Sequence, residues 1–477
     1  MIHTAHHLRA TRIVVDIGKT LSKVTAWTGD GQLVDRKVRP NQVATIDGIR
    51  RLDADGIAAW LHGALAAFAE HPIEAIVPVA HGAGIVALGD HGPLIAPFDY
   101  EQAIPDDVLR AYRAERDAFA VTGSPPLPDG LNAGAQIYWM DRLYPDAMAS
   151  ATLVPWAQYW AWFLSGAARN EGTSMGCHTD LWQPETGEFS PMARRLGWAD
   201  RFAPLAKAGD VVGTLRPALA AETGLPESAK VLAGIHDSNA ALLAARGFAE
   251  IASNEATILS TGTWFIAMRL PAEPVSIGAL AADRDTLVNV DAYGKAVPSA
   301  RFMGGREIES VIQIDTRRVD IKPDQPDLLA AVPALLERGT MMLPTLAPGF
   351  GPFPDGESRW LDPPAAWEGT WYSRRAAICL YAALVADTSL DLIGSKDRLL
   401  VEGRFAEAEV FVRALAALRP GTRVFVANAH NDVSFGALRL LDPGLAPQGG
   451  LRRVEPLPGD LDAYRAKWRE AVGKVVA

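Results

Sequence analysis

The sequence predicts an α/β protein of two domains, and three observations carry that reading. The chain has 477 residues, more than one ordinary hydrophobic core accommodates. Two strand–turn–strand units built around glycine and hydroxyl residues stand early in each half, at Thr11–Trp27 and Ile258–Met268. Short apolar runs that lead through a polar or glycine-containing turn into a helical pattern recur, as at Val231–Phe248 and Asp397–Leu418. The expected division is 1–240 and 241–477.

Composition narrows the function classes. Apolar residues make up 49% and charged residues 21% of the chain, a balance usual for globular domains. Lys+Arg is 46 against Asp+Glu 56, a formal charge of −10. No global attraction to nucleic acid or an anionic membrane follows from that balance. Cys177 and Cys379 are far apart and form no metal-type cluster, which fits a reducing compartment. The opening MIHTAHHLRATR lacks the apolar core of a signal peptide. The most membrane-like stretch, Val154–Ala168, falls short of the ~18–20 residues a spanning helix needs and carries Gln158. A cytoplasmic location is expected.

Taken in order, Ile13, Val14 and Val15 form a β-branched run, Gly18-Lys19-Thr20 a turn, and Leu21–Ala26 an extended return, with Asp16 at the mouth of the turn. The GKT here is not a P-loop: that motif needs glycine at position 13, which is Ile, and a helix after the lysine. On these residues alone the unit is either a plain hairpin or a turn that aims backbone N–H groups at phosphate. Ile49–Ala69 reads as a helix and Ile73–Val79 as a strand that ends at Ala80-His81-Gly82-Ala83-Gly84. Such strand ends are where open α/β sheets bind ligands, though a structural histidine accounts equally for His81. A hairpin around Gly89–Gly92 follows. Helices are expected at Ala103–Ala120, Ala133–Leu143 and Val154–Leu164, the last stopped by Gly166. Gly172–Thr179 is a loop of small residues expected near the ligand, though an ordinary connection accounts for it equally.

The stretch from Val231 runs as a strand to His236-Asp237-Ser238-Asn239 and then as an Ala/Leu-rich helix stopped at Gly247. Asp237 is placed either to cap that helix or to act as a general base at a strand–helix junction. Ser260, Thr261, Gly262 and Thr263 make the second hydroxyl-rich turn. Gly304-Gly305 precedes a helix start, Pro344–Pro364 is a long irregular loop, and Ala376–Ile393 is an apolar helix. Asp397–Gly403 is a strand ending in Glu402-Gly403-Arg404. Ala406–Leu418, Thr422–Ala427, Asn431–Leu441 and Ala463–Val476 alternate helix, strand, helix, helix.

The order VVDIGKTLSKV, AHGAG, GIHDSNAA, LSTGTW, VEGRF resembles the FGGY carbohydrate kinase family of the actin-like ATPase superfamily, over about residues 11 to 440. GIHDSNAA is its most specific element, and its His-Asp pair is similar to that of the L-rhamnulose and L-fuculose kinases. The resemblance implies two actin-like (ribonuclease H-like) α/β domains with ATP and sugar in a cleft between them. It implies Mg²⁺ held by Asp16 through water, and phosphate turns at Gly18, Lys19, Thr20 and Ser22 and at Ser260, Thr261, Gly262 and Thr263. It implies an adenosine segment at Glu402, Gly403 and Arg404. Sugar contacts fall at His81, Gly82 and His236, and Asp237 matches the catalytic base. A homodimer is open. The sequence departs at Glu402-Gly403, where the family has Gly-Gly, and at Lys19, where many members have a smaller residue.

The implied activity is ATP-dependent phosphorylation of a ketose, at C1, with L-fuculose or L-rhamnulose first and a pentulose second. A sugar or nucleotide sensor on the same fold, and a filament-forming actin-like protein, are the rival classes. Pocket shape is expected to depend on His81, Gln136, Trp160 and Phe302.

Overall fold

The structure is a computed structural model that describes residues 9–364, 367, 371–427 and 433–476. It divides into two compact units, one of residues 1–247, 288–296 and 431–447, the other of the remainder.

The first unit is built on a mixed sheet. Strands β1 (Arg12–Ile17), β2 (Leu21–Trp27) and β3 (Leu33–Pro40) form an antiparallel meander. Strand β4 (Ala75–Ala80) runs parallel to β1. Strands β5 (Val211–Thr214), β6 (Lys230–Leu232) and β7 (Ile235–His236) complete the sheet, with order β5-β6-β4-β1-β2-β3 and β7 also on β4. β1 and β4 are almost wholly buried, which is why their apolar residues are continuous rather than alternating. Helix α1 (Ala54–Ala66) packs Ile57, Leu61 and Leu65 inward, and α2 (Trp156–Ser165) brings Trp156, Tyr159 and Trp160 into the same core. Helix α3 (Asp237–Ala245) follows β7 directly.

The second unit repeats the theme. Hairpin β8 (Ala256–Thr261) and β9 (Phe265–Leu270) is flanked by β10 (Ala296–Phe302) on one side and, on the other, by β11 (Arg398–Gly403), β12 (Arg423–Ala427) and β13 (Leu451–Arg453). β8, β11 and β12 are parallel neighbours. Helices α4 (Gly304–Ile312), α5 (Trp371–Leu392) and α6 (Glu409–Leu418) close over the sheet's apolar face, around Phe265, Phe302 and Phe411. The short helix α7 (Val433–Leu438) returns to the first unit and packs on α3.

Local chemistry explains the shifted boundaries. The expected helix from Ile49 begins instead at Ala54, because Asp53 accepts from Gly56 N and caps it. Ile49–Leu52 turns back on Val43–Ile46 as a hairpin through Asp47-Gly48, both with positive φ. The expected helix from Val154 starts at Trp156, after Thr152–Pro155 has paired with Ile85–Leu88.

Candidate active site

Three parallel strand ends of the first sheet are in register. Ile17 of β1 lies opposite Ala80 of β4, and Ala80 lies opposite His236 of β7. The chain therefore leaves adjacent strands, roughly 4.8 Å apart, at Gly18, His81 and Asp237. All three exits lie at the carboxyl edge of one sheet, the edge at which such sheets bind ligands.

Asp237 is the first residue of α3. His236 occupies the capping position, so Asp237 is not the N-cap. Its Oδ1 accepts from Ser238 N (2.6 Å) and Ser238 Oγ (3.2 Å) and lies 3.2 Å from His236 Nε2. No protein donor reaches Oδ2 among the described residues, and the residue is half-exposed. One carboxylate oxygen is thus held and the other is open, the arrangement a general base needs.

His236 is buried and its pKa is lowered by that burial, partly offset by Asp237. Its Nδ1 lies 3.3 Å from Asn239 Nδ2, so a neutral ring carries its proton on Nε2, which faces Asp237 and, at 3.3 Å, Cys177 Sγ. Its backbone N–H donates to Thr173 Oγ1 (3.0 Å). Thr173 in turn donates to Glu171 Oε2 (2.6 Å). Burial raises the Glu171 carboxyl to about 7, against the hydrogen bonds from Thr173 and Ser174.

His81 is also held neutral, chiefly by burial. Its Nδ1 donates to Gly82 O (2.8 Å), which leaves Nε2 as an acceptor for a hydroxyl. The ring sits edge-on to Tyr100 (5.4 Å) and tilted against Trp156 (6.2 Å). Gly82 is required by space: a Cβ there would stand 2.6 Å from Cys177 Sγ and 2.9 Å from His236 Nε2. Gln136 donates to Ala83 O and Gly130 O, both at 2.6 Å. Gln136 Oε1, Asn239 Oδ1 and Trp156 Nε1 are buried with no protein partner among the described residues. Buried polar atoms are normally satisfied, and residues in contact with His81 or His236, or paired with the 82–84 turn, contribute these three. Trp160, whose Nε1 is likewise buried without a protein partner among the described residues, and Phe302 are fully buried core residues.

The first phosphate-type turn closes through Gly18 N to Leu21 O (3.0 Å), and a strand rather than a helix follows it. Asn41 braces it from behind, donating to Gly18 O (2.7 Å). Ser22 is fully buried and donates to Asn41 Oδ1 (2.7 Å), so its hydroxyl supports the turn instead of facing a ligand. Thr20 is exposed. Lys19 turns away to the Asp99 carboxylate and stands 4.3 Å over the Tyr100 ring.

In the second unit, Thr261 pairs with Phe265, so Gly262, Thr263 and Trp264 form the turn. Thr261 is buried. Its hydroxyl donates to Glu402 O (2.5 Å) and accepts from Phe405 N (3.0 Å), again a brace. Ser260 and Thr263 are exposed. Gly305 lies under the turn: a Cβ there would be 1.9 Å from Gly262 O. Gly403, exposed, lies opposite Thr261 with φ +83° and ψ −166°, and Arg404 pairs with Glu309 at 3.1 Å.

A magnesium ion fits at Asp16 only in company. Asp16 is a buried carboxylate at the end of β1, and Lys23, its cross-strand partner, places an ammonium 2.8 Å from Oδ2. The site already seats positive charge. Among the described residues no group of three acidic, His or Cys side chains could hold a metal, so an ion here would draw its other ligands from phosphate and water. Thr173 and Cys177 lie in the small-residue loop expected near the ligand, whereas Lys23, Asn41, Tyr100, Asp99 and Glu171 were not singled out from the sequence. Only Lys23 had a local signal, its place opposite Asp16 in a hairpin.

Comparison with known proteins places the chain among carbohydrate kinases. Residues 253–448 match the family model described as carbohydrate kinase FGGY, C-terminal domain. A carbohydrate kinase from Novosphingobium aromaticivorans of known structure is 63% identical, with 98% of this chain and 100% of that chain covered and a TM-score of 0.95. Xylulose kinase from Rhodospirillum rubrum shares the fold at 17% identity, over 97% of this chain and 98% of its own, with a TM-score of 0.77. L-fuculokinase of Escherichia coli strain K12 is 25% identical over 282 residues, 54% of this chain and 56% of that protein. The chain thus spans a little over half the length of the curated relatives it matches. Among the described residues no helix is long and apolar enough to cross a membrane.

Proposed function

The chain belongs to the FGGY carbohydrate kinase family, and on that premise we propose that it transfers the γ-phosphoryl group of ATP to the C1 hydroxyl of a ketose, of the L-fuculose or L-rhamnulose type. The observation that carries this reading is Asp237, with one carboxylate oxygen held and one open, at a strand exit of the sheet edge beside those of Gly18 and His81. The 25% identity to an L-fuculokinase and the His236-Asp237 pair favour a 6-deoxyketohexose. A pentulose draws support from fold likeness alone.

Phosphoryl transfer is mostly positioning and charge stabilisation. The sugar oxygen forms a bond to the γ-phosphorus as the bond from that phosphorus to the β–γ bridging oxygen breaks, and ADP leaves. The hydroxyl proton passes to the open oxygen of Asp237. His81 Nε2 accepts from a sugar hydroxyl, and His236 Nε2–H orients Asp237. The turns at Gly18–Thr20 and Gly262–Thr263, exposed at Thr20 and Thr263, serve the phosphates, and Gly403 gives the adenosine close approach to backbone. Asp16 would hold a magnesium ion through water, and the ion would supply positive charge for the phosphate oxygens. A cytoplasmic location belongs to this reading, because ATP is the donor.

A coupled ADP-release assay over a panel of ketoses tests it. Fastest release with L-fuculose or L-rhamnulose is expected. If no ketose stimulates release, a binding protein on the same fold replaces the kinase.

A further inference from the structure

Lys19 lies in the first phosphate-type turn, yet its side chain makes no use of that position. The ammonium pairs with Asp99, which is fully buried, lies 3.7 Å from Glu101 Oε2 and stands 4.3 Å over the Tyr100 ring. Arg50 joins the same carboxylates, at 3.3 Å from Asp99 Oδ2 and 2.8 Å from Glu101 Oε2. Asp99 Oδ1 also accepts from Glu101 N (2.9 Å), and Gly130 N donates to Tyr100 O (2.9 Å). The 99–101 segment is therefore pinned at three points. Its central residue, Tyr100, is the one whose ring meets His81 edge-on at 5.4 Å.

We infer that Lys19 is a positioning residue of the sugar pocket, not a phosphate ligand: through Asp99 and Tyr100 it holds the wall against which His81 receives a neutral sugar. This rests on the kinase reading above. Three features support it. Two cations, Lys19 and Arg50, face two carboxylates, Asp99 and Glu101, so the wall offers no surplus positive charge to an acidic sugar. Nearby Asp237 is one of the charges acting on the Tyr100 phenol, which burial first, then Glu101, Asp99 and Asp237, keeps protonated. Lys19 is also one of the charges that disfavour protonated His81, after burial, and it thereby helps keep Nε2 an acceptor.

Lys19→Met and Lys19→Arg decide the matter. In Lys19→Met the ketose KM should rise about tenfold with kcat within about twofold, the signature of lost ground-state positioning. The affinity for ATP with Mg²⁺, read by calorimetry without sugar, should stay within about twofold. Lys19→Arg, which keeps a cation for Asp99 and a planar group for Tyr100, should restore the ketose KM. A tenfold or greater loss of ATP affinity in Lys19→Met, or an unchanged ketose KM, overturns the inference. Failure of the kinase reading is separate: the unmodified protein would then release no ADP with any ketose, and the calorimetric arm would still report which side Lys19 serves.

Discussion

Asp237 has two neighbours on Oδ1 and none on Oδ2 among the described residues, and that asymmetry makes its role testable. Asp237→Asn keeps the shape and the Ser238 contacts but cannot take a proton. Turnover should fall by about 10²–10⁴, the usual contribution of a positioned base, with the circular dichroism spectrum and ATP affinity unchanged. Near-normal turnover would remove Asp237 from the mechanism. Gly82 tests the sugar side of the same edge. Its Cβ would meet Cys177 Sγ at 2.6 Å and His236 Nε2 at 2.9 Å, so Gly82→Ala should raise the ketose KM about tenfold or more with little effect on ATP. Cys177→Ala in the same chain should recover part of that loss. If it recovers nothing, the contact with Cys177 is not what excludes a side chain.

At the scale of elements, glycines mark where backbones approach. Gly403 has φ +83° and ψ −166°, a region open to glycine almost alone, and a Cβ there would lie 2.4 Å from Thr261 O. Because that neighbour is backbone, it cannot swing aside. Gly403→Ala should destabilise the second unit by about 1–3 kcal/mol, measured as a lowered urea midpoint, and weaken ATP binding. Gly436 plays the same part behind the catalytic helix. A Cβ on α7 would stand 1.8 Å from Ala240 O of α3. Gly436→Ala should push α3 and lower kcat, though the residue is no part of the site's own edge. Full activity there would mean that α3 is not held from behind by α7.

Across the whole molecule, several buried carboxyls set the pH dependence of stability. Burial raises Glu171 to about 7 from an ordinary 4.5, and it also raises Asp180, Glu307 and Asp387. An unfolded glutamate loses its proton before the buried one does. Between about 4.5 and 7 the folded chain therefore holds the extra proton, and stability falls as pH rises through that window. Glu171 alone is worth about 3 kcal/mol at most. Because buried, neutral His81 and His236 push stability the other way in the same window, the Glu171 effect is read by difference: from about pH 5 to pH 7.5 the thermal midpoint of the unmodified protein should fall relative to that of Glu171→Gln. An equal slope in both proteins would show that Glu171 does not titrate there. Asp99 has the opposite sign: burial works against its ionisation, but Lys19, the Glu101 N–H and Arg50 prevail and hold its pKa low.

By itself the sequence determined the α/β class, the two hairpin turns and the hand-over from strand to helix at Asp237. These follow from local rules, namely runs of β-branched residues, glycine at turns and a 3.6-residue apolar period. Helix starts were less legible because they hang on single capping residues such as Asp53. Only the tertiary structure decided the rest. The register that sets Ile17, Ala80 and His236 in line is fixed by burial of both faces of β1 and β4. Lys19 found its partner 80 residues away. Ser22 and Thr261, which look like phosphate ligands in the chain, spend their hydroxyls on bracing. Whether a polar side chain faces a ligand or satisfies its own backbone depends on which buried partners folding brings within about 3 Å. That proximity comes from packing between distant segments, and no local pattern encodes it.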